Sequence, residues 1–188
     1  MASSIIDSVI WKRLDTPGHD SCTLRRSQSG YELEGVAVFL QGKRPACLRY
    51  RVTCGSRWET QDAIVAGTLG KKIVRAEITR SKDHWLLNDE PQLAASGHYD
   101  LDLSFTPATN ILPIKRLALG NGVETEVSAA WLRFPSMTIA TLHQTYRRLG
   151  RAEYAYTAFG GKFKRKLSLR SSGLVKSYPG LWVAERAI

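Results

Sequence analysis

No apolar run in the chain approaches the roughly 18 residues that a helix needs to cross a bilayer, so a helical membrane span is excluded. Cysteine is scarce: Cys22, Cys47 and Cys54 are three, an odd number, and none has a C-x-x-C neighbour. A disulfide framework and a zinc ribbon are therefore not expected, and free thiols in a reducing compartment are. The four histidines, His19, His84, His98 and His143, are scattered without metal-ligand spacing. There is no G-x-S-x-G turn for a hydrolase serine, no G-x-G-x-x-G and no G-x-x-x-x-G-K-[ST] phosphate loop. No cofactor and no metal are expected. The first fourteen residues lack both a basic start and a long apolar stretch, which predicts a cytoplasmic protein rather than one led by a signal peptide.

What is present is a period of two. In 47–54, Leu48, Tyr50, Val52 and Cys54 alternate with Arg49, Arg51 and Thr53. In 100–105, Leu101, Leu103 and Phe105 alternate with Asp100, Asp102 and Ser104. In 162–170, Phe163, Arg165, Leu167 and Leu169 share one face, and Lys162, Lys164, Lys166, Ser168 and Arg170 the other. Tyr154, Tyr156 and Ala158 share a face just before it. Such alternation belongs to strands with one core side and one wet side. Turn signals at 27–30, 42–45, 55–56, 120–122, 160–161 and 171–173 separate the runs. Many strands with Gly-containing turns predict an all-β, mostly antiparallel sandwich, barrel or roll. The Thr-rich stretch 137–149 is read as strand, and one short helical turn is allowed near 110–117 despite Pro113. At 188 residues, without linker or repeat, the chain is read as one domain over 1–188.

Net charge is +10, and it is uneven. The last 42 residues carry ten Lys and Arg against Glu153 and Glu185, so eight of the ten net charges lie there. Such a patch can attract nucleic acid, an anionic membrane or an anionic headgroup. The alternation, however, puts Tyr154 and Tyr156 opposite most of the cations. That argues for a wet outer face over a base-stacking platform, and no specific nucleic acid is expected.

The most unusual stretch is 100–117, DLDLSFTPATNILPIKRL. Asp100 and Asp102, at i and i+2, share a strand face about 7 Å apart, and Lys115 and Arg116 follow the turn. The pair could bind a hard cation, serve acid–base chemistry on a sugar, or accept hydroxyls together with Asn110. The plain alternative is that one Asp pairs with Arg116 and that Thr106 and Asn110 hold the turn. Five tryptophans are also present. Trp58, Trp85 and Trp131 are placed in strands, and Trp11 and Trp182 are expected to close the ends of the sheet. They either line a pocket or build a β core.

Taken together, Trp11, LEG at 33–35, LRYRV at 48–52, RWET at 57–60, Trp85, the whole of 100–117, WLRFP at 131–135, QTY at 144–146 and YPGLW at 178–182 resemble the bacterial glycolipid-binding family. The resemblance implies a single-domain spiral β-roll, similar to the curved half-barrels of lipoprotein-sorting carriers, with a lipid or glycolipid in an apolar concavity. On that reading Trp58, Trp85 and Trp131 line the apolar part, and Asp100, Asp102, Asn110 and Arg116 supply polar contacts. Two other classes stay open: an enzyme on a glycolipid or sugar derivative using Asp100 or Asp102 with His98, and nucleic-acid binding by the C-terminal basic patch. A roll also has edge strands that a homodimer could pair.

Overall fold

The computed structural model describes residues 3–185. Its strands are β1 (Ser4–Arg13), β2 (Gly18–Arg26), β3 (Tyr31–Gln41), β4 (Arg44–Cys54), β5 (Thr60–Leu69), β6 (Lys72–Ser81), β7 (His84–Leu87), β8 (Glu90–Pro91), β9 (Asp100–Leu103), β10 (Glu124–Arg133), β11 (Thr138–Gly150), β12 (Glu153–Ala158), β13 (Phe163–Leu169), β14 (Val175–Tyr178) and β15 (Trp182–Ala184). One short helix, α1 (Ile111–Leu117), joins them. All fifteen strands belong to a single open sheet, ordered β8 to β1, then β15 to β9. Every pairing is antiparallel except β9 on β10. The fold is all-β, as the alternation predicts.

The order corrects one expectation. Trp11 and Trp182 do not close the ends of the sheet. Their strands pair with each other at its centre, Trp11 opposite Ala184 and Arg13 opposite Trp182. The free edges are mid-chain strands instead, β8 with two residues and β9 with four. Short edges, one carrying Pro91, offer little for another chain to pair with. The seam between them is covered by residues 93–100. Thr141 donates its hydroxyl hydrogen to the Ala94 carbonyl. The Thr60 amide donates to the Tyr99 carbonyl at 3.0 Å, and the Leu101 amide to Thr60 Oγ1 at 3.2 Å.

The inner face gathers the alternating apolar residues, including Leu24, Leu33, Leu48, Val52, Val65, Ile78, Leu132 and Leu167, all buried. Into this concavity folds 103–114: Leu103, Phe105, Ala108, Ile111, Leu112 and Ile114 are buried there. Pro113 is tolerated because it sits in the first turn of α1, where its missing N–H needs no partner. The helix stops at Ala118, whose left-handed φ of 45° turns its N–H back to the Ile114 carbonyl at 3.3 Å. The chain's own segment 103–114 thus packs against the inner face of the sheet. The outer face stays wet, with Arg49, Arg51, Lys164 and Lys166 exposed.

Candidate functional site

Residues 100–110 place two carboxylates in different surroundings. Asp100 is fully buried and meets Arg116 in a two-point ion pair, Nε to Oδ1 at 2.9 Å and Nη2 to Oδ2 at 2.6 Å. Burial raises its carboxyl, and the guanidinium offsets part of that. Asp100 therefore has its partner. Asp102 has none among the described residues. It lies opposite Trp131 across the parallel β9–β10 pairing, partly open to a cleft. Desolvation with no compensating hydrogen bond pushes its carboxyl up to about 7.

The cleft holds about 170 Å³. Its polar floor is Asp102, Thr106 and Asn110, and its walls are Trp131, Tyr156, Phe159, Phe163, Tyr178 and Trp182. No Lys or Arg lines it. The rings run as a chain, with centroids 5.6 Å apart for Trp131 and Phe159, 6.4 Å for Phe159 and Phe163, and 6.1 Å for Phe163 and Tyr178. The first two contacts are edge-to-face and the third is tilted, and together they fix the walls. Phe159 stands at the mouth, 49% exposed, on backbone with φ 52°, followed by Gly160 and Gly161, also at positive φ. A bulky residue in that conformation is strained, and such strain gathers at ligand clamps. At the floor, the buried Asn110 leaves Oδ1 without a hydrogen-bond partner. Buried polar atoms are nearly always paired, so an orphaned one calls for an explanation.

The floor is held from below by a third carboxylate. Asp20, fully buried on β2, accepts hydrogen bonds from Tyr50 Oη at 3.0 and 3.1 Å and from the Thr106 hydroxyl. Thr106 Oγ1 in turn accepts the Ala108 amide at 3.0 Å, setting the turn that presents Asn110. Desolvation pushes the Asp20 carboxyl up to about 6, against the pull of those two donors. Gly35 makes the network fit: a Cβ there would lie 2.4 Å from the Tyr50 ring.

The residues singled out from sequence are therefore divided. Trp131, Asp102 and Asn110 meet in the aromatic cleft. Trp85 is in the core, 1% exposed, with Nε1 donating to the His98 carbonyl at 3.0 Å. Trp58 is not in a strand. It sits in the turn after β4 at φ 69° and stacks on Tyr31 at 3.8 Å. With Arg116 it lines a different recess, beside Tyr99. His98 lies outside the cleft with Nε2 3.4 Å from Thr141 Oγ1, and burial lowers its pKa. It lines none of the clefts described, and neither does Asp100. No group of His, Cys, Asp and Glu that could hold a metal occurs among the described residues. Among the described residues no helix is long and apolar enough to cross a membrane. Phe159, Tyr178 and Trp182 escaped the sequence reading as walls. Alternation does put Tyr156 and Phe163 on the inner face, but Phe159-Gly160-Gly161 reads only as a turn.

An open, helix-plugged β-roll with one aromatic, carboxylate-floored cleft is the class of protein that these features define. The model of the family described as "Putative glycolipid-binding" matches residues 8–184, and the chain belongs to that family. Among solved structures, it is similar to a DUF1089 family protein from Pseudomonas aeruginosa. The TM-score is 0.78 at 27% identity, covering 87% of this chain and 91% of that one. No curated protein matches the chain.

Proposed function

We propose that the cleft binds the sugar ring of a glycolipid and leaves the acyl chains outside it. The observation that carries this reading is the pairing of two partnerless polar groups, Asp102 and Asn110, with a wall of six aromatic rings. Sugars present hydroxyls at their edges and apolar C–H faces, and such a floor and wall meet both. Size agrees: 170 Å³ is below the roughly 300–1,000 Å³ of drug-sized pockets, large enough for a ring but not for an acyl chain. The family description points to the same ligand class. The site reads as binding rather than cleavage. Glycoside hydrolysis uses two carboxyl groups about 5–9.5 Å apart, and Asp102 is the single carboxylate among the described lining residues.

The test is calorimetric titration with octyl glucoside below its micellar concentration and with methyl glucoside, on wild type and Asp102→Asn. Saturable binding of both sugars, about tenfold weaker in the variant, is expected for loss of one charge-assisted hydrogen bond. Binding of the octyl compound alone, unchanged in Asp102→Asn, would move the ligand from sugar to alkyl chain and refute the assignment.

A further inference from the structure

The two ends of α1 face different openings. Asn110, just before its first residue, is on the floor of the aromatic cleft. Ile114, Lys115 and Ala118, at its other end, line a recess of about 440 Å³. That recess also takes Arg148, Arg151, Arg170 and Ser171, and no carboxylate lines it.

The donors there are only partly used. Arg148 donates Nε to the Gly150 carbonyl at 3.0 Å and Nη1 to the Leu119 carbonyl at 2.8 Å, which orients its guanidinium and leaves Nη2 over. Arg170 is held by Asp7 at 2.7 and 2.9 Å, and Ser172 also donates to that carboxylate at 2.7 Å. Lys115 and Arg151 have no ion-pair or hydrogen-bond partner among the described residues. Lys115 is the telling one. Its stem lies over Gly173, where a Cβ would come within 2.4 Å of Cε, and Gly173 has a φ of 101°. Its half-buried ammonium has no carboxylate within ion-pair distance among the described residues, although Lys115 also borders the recess that holds Glu59 and Asp83, and burial lowers its pKa. Neutralising Asp7 against Arg170 still leaves three unbalanced cations around one recess.

We propose that this recess is an anion site that takes a phosphate group, with Lys115, Arg148 and Arg151 as its ligands and Arg170 and Ser171 at its side. Guanidinium forks and an ammonium together suit the tetrahedral oxygens of a phosphate ester. The site lies apart from the sugar cleft and does not depend on it. The phosphate belongs either to a soluble ester or to a lipid headgroup.

The experiment titrates inorganic phosphate, then glycerol phosphate, into the full chain at low ionic strength, followed by amide chemical shifts. Vesicles of neutral phosphatidylcholine, with and without anionic phosphatidylglycerol, form a second arm. Lys115→Gln keeps the stem over Gly173, Arg151→Gln changes an exposed turn residue, and Lys164→Gln removes an equal charge from the outer face. Saturable phosphate binding is expected, with shifts at 115, 148, 151 and 171. It should be about tenfold weaker in each of the first two variants and unchanged in the third, the loss that removing one charged hydrogen bond gives. Binding of phosphate and glycerol phosphate without vesicle capture assigns a soluble ester. Capture by anionic vesicles only, lost in Lys115→Gln, assigns a headgroup. Equal weakening by Lys164→Gln would reduce the effect to net charge and overturn the proposal, as would absence of binding in both arms.

Discussion

The aromatic cleft and the cationic recess are built on opposite ends of the same seven-residue helix, yet they are chemical opposites. The first has six rings, one carboxylate and no cation among its lining residues. The second has four cations and no carboxylate. A carboxylate and a cation do meet in Asp100 and Arg116, and that pair is closed on itself. The contrast shows why residue type alone misleads. Asp100 and Asp102 are two positions apart on one strand, but only the one without a cation within reach is left for a ligand.

The largest expected effect separates the closed pair from the open group. Arg116→Leu strands a buried Asp100 carboxylate, and breaking such a pair costs about 3–5 kcal/mol. Urea unfolding should show that loss, whereas Asp102→Asn should leave the midpoint unreduced. An unfolding free energy for Arg116→Leu within about 1 kcal/mol of wild type would mean that the pair is not structural.

Next comes pH. The folded carboxyl of Asp20 is raised from 3.8 to about 6, so the folded state holds its proton more tightly than the unfolded chain does. Its contribution to stability is full below the unfolded value and is lost as pH rises through 4 to 6. Two units correspond to about 3 kcal/mol. Asp102, raised to about 7, adds a loss of the same sign that extends closer to neutral pH. Asp7, lowered by Arg170, acts in the opposite sense and loses its contribution as pH falls. Chemical denaturation of wild type and Asp20→Asn between pH 4 and 7 isolates the first effect. The variant should show a flatter profile, and coincident profiles would clear Asp20 of the role.

Smaller again are the walls. Trp131→Ala and Phe159→Ala should each weaken sugar binding about three- to tenfold, in line with about 0.5–1.5 kcal/mol per aromatic contact. Phosphate binding at the other end should not change. Phe159→Ala should leave stability nearly unchanged, since half of the ring is in solvent already. Sugar affinity should also rise with pH through about 7 as Asp102 becomes a better acceptor, and that dependence should vanish in Asp102→Asn. The smallest effect is on the outer face. Lys162→Gln and Lys164→Gln, both exposed, should shift stability by no more than about 0.5 kcal/mol. Any clear loss of sugar binding there would blur the distinction between the two ends.

The sequence by itself determined the strands, because a period of two in side-chain polarity can be satisfied only by extended chain with one face buried. It also determined the wet basic face of 162–166 and the family, through the long 100–117 segment, whereas Arg170, expected on the same face, is part-buried against Asp7. It did not determine which strands meet. Pairing of β1 with β15 joins residues more than 160 positions apart, and no local pattern records that. Nor could it choose between the roles of Asp100 and Asp102, since spacing puts both on one face. The tertiary structure decided that by seating Arg116 against one of them, and it assembled Phe159, Tyr178 and Trp182 around the other. A turn, a strand end and a strand start carry no shared periodicity. Asp20 was invisible for the same reason: a lone acid in a polar run gains its character only when Tyr50 and Thr106 close over it and remove its water.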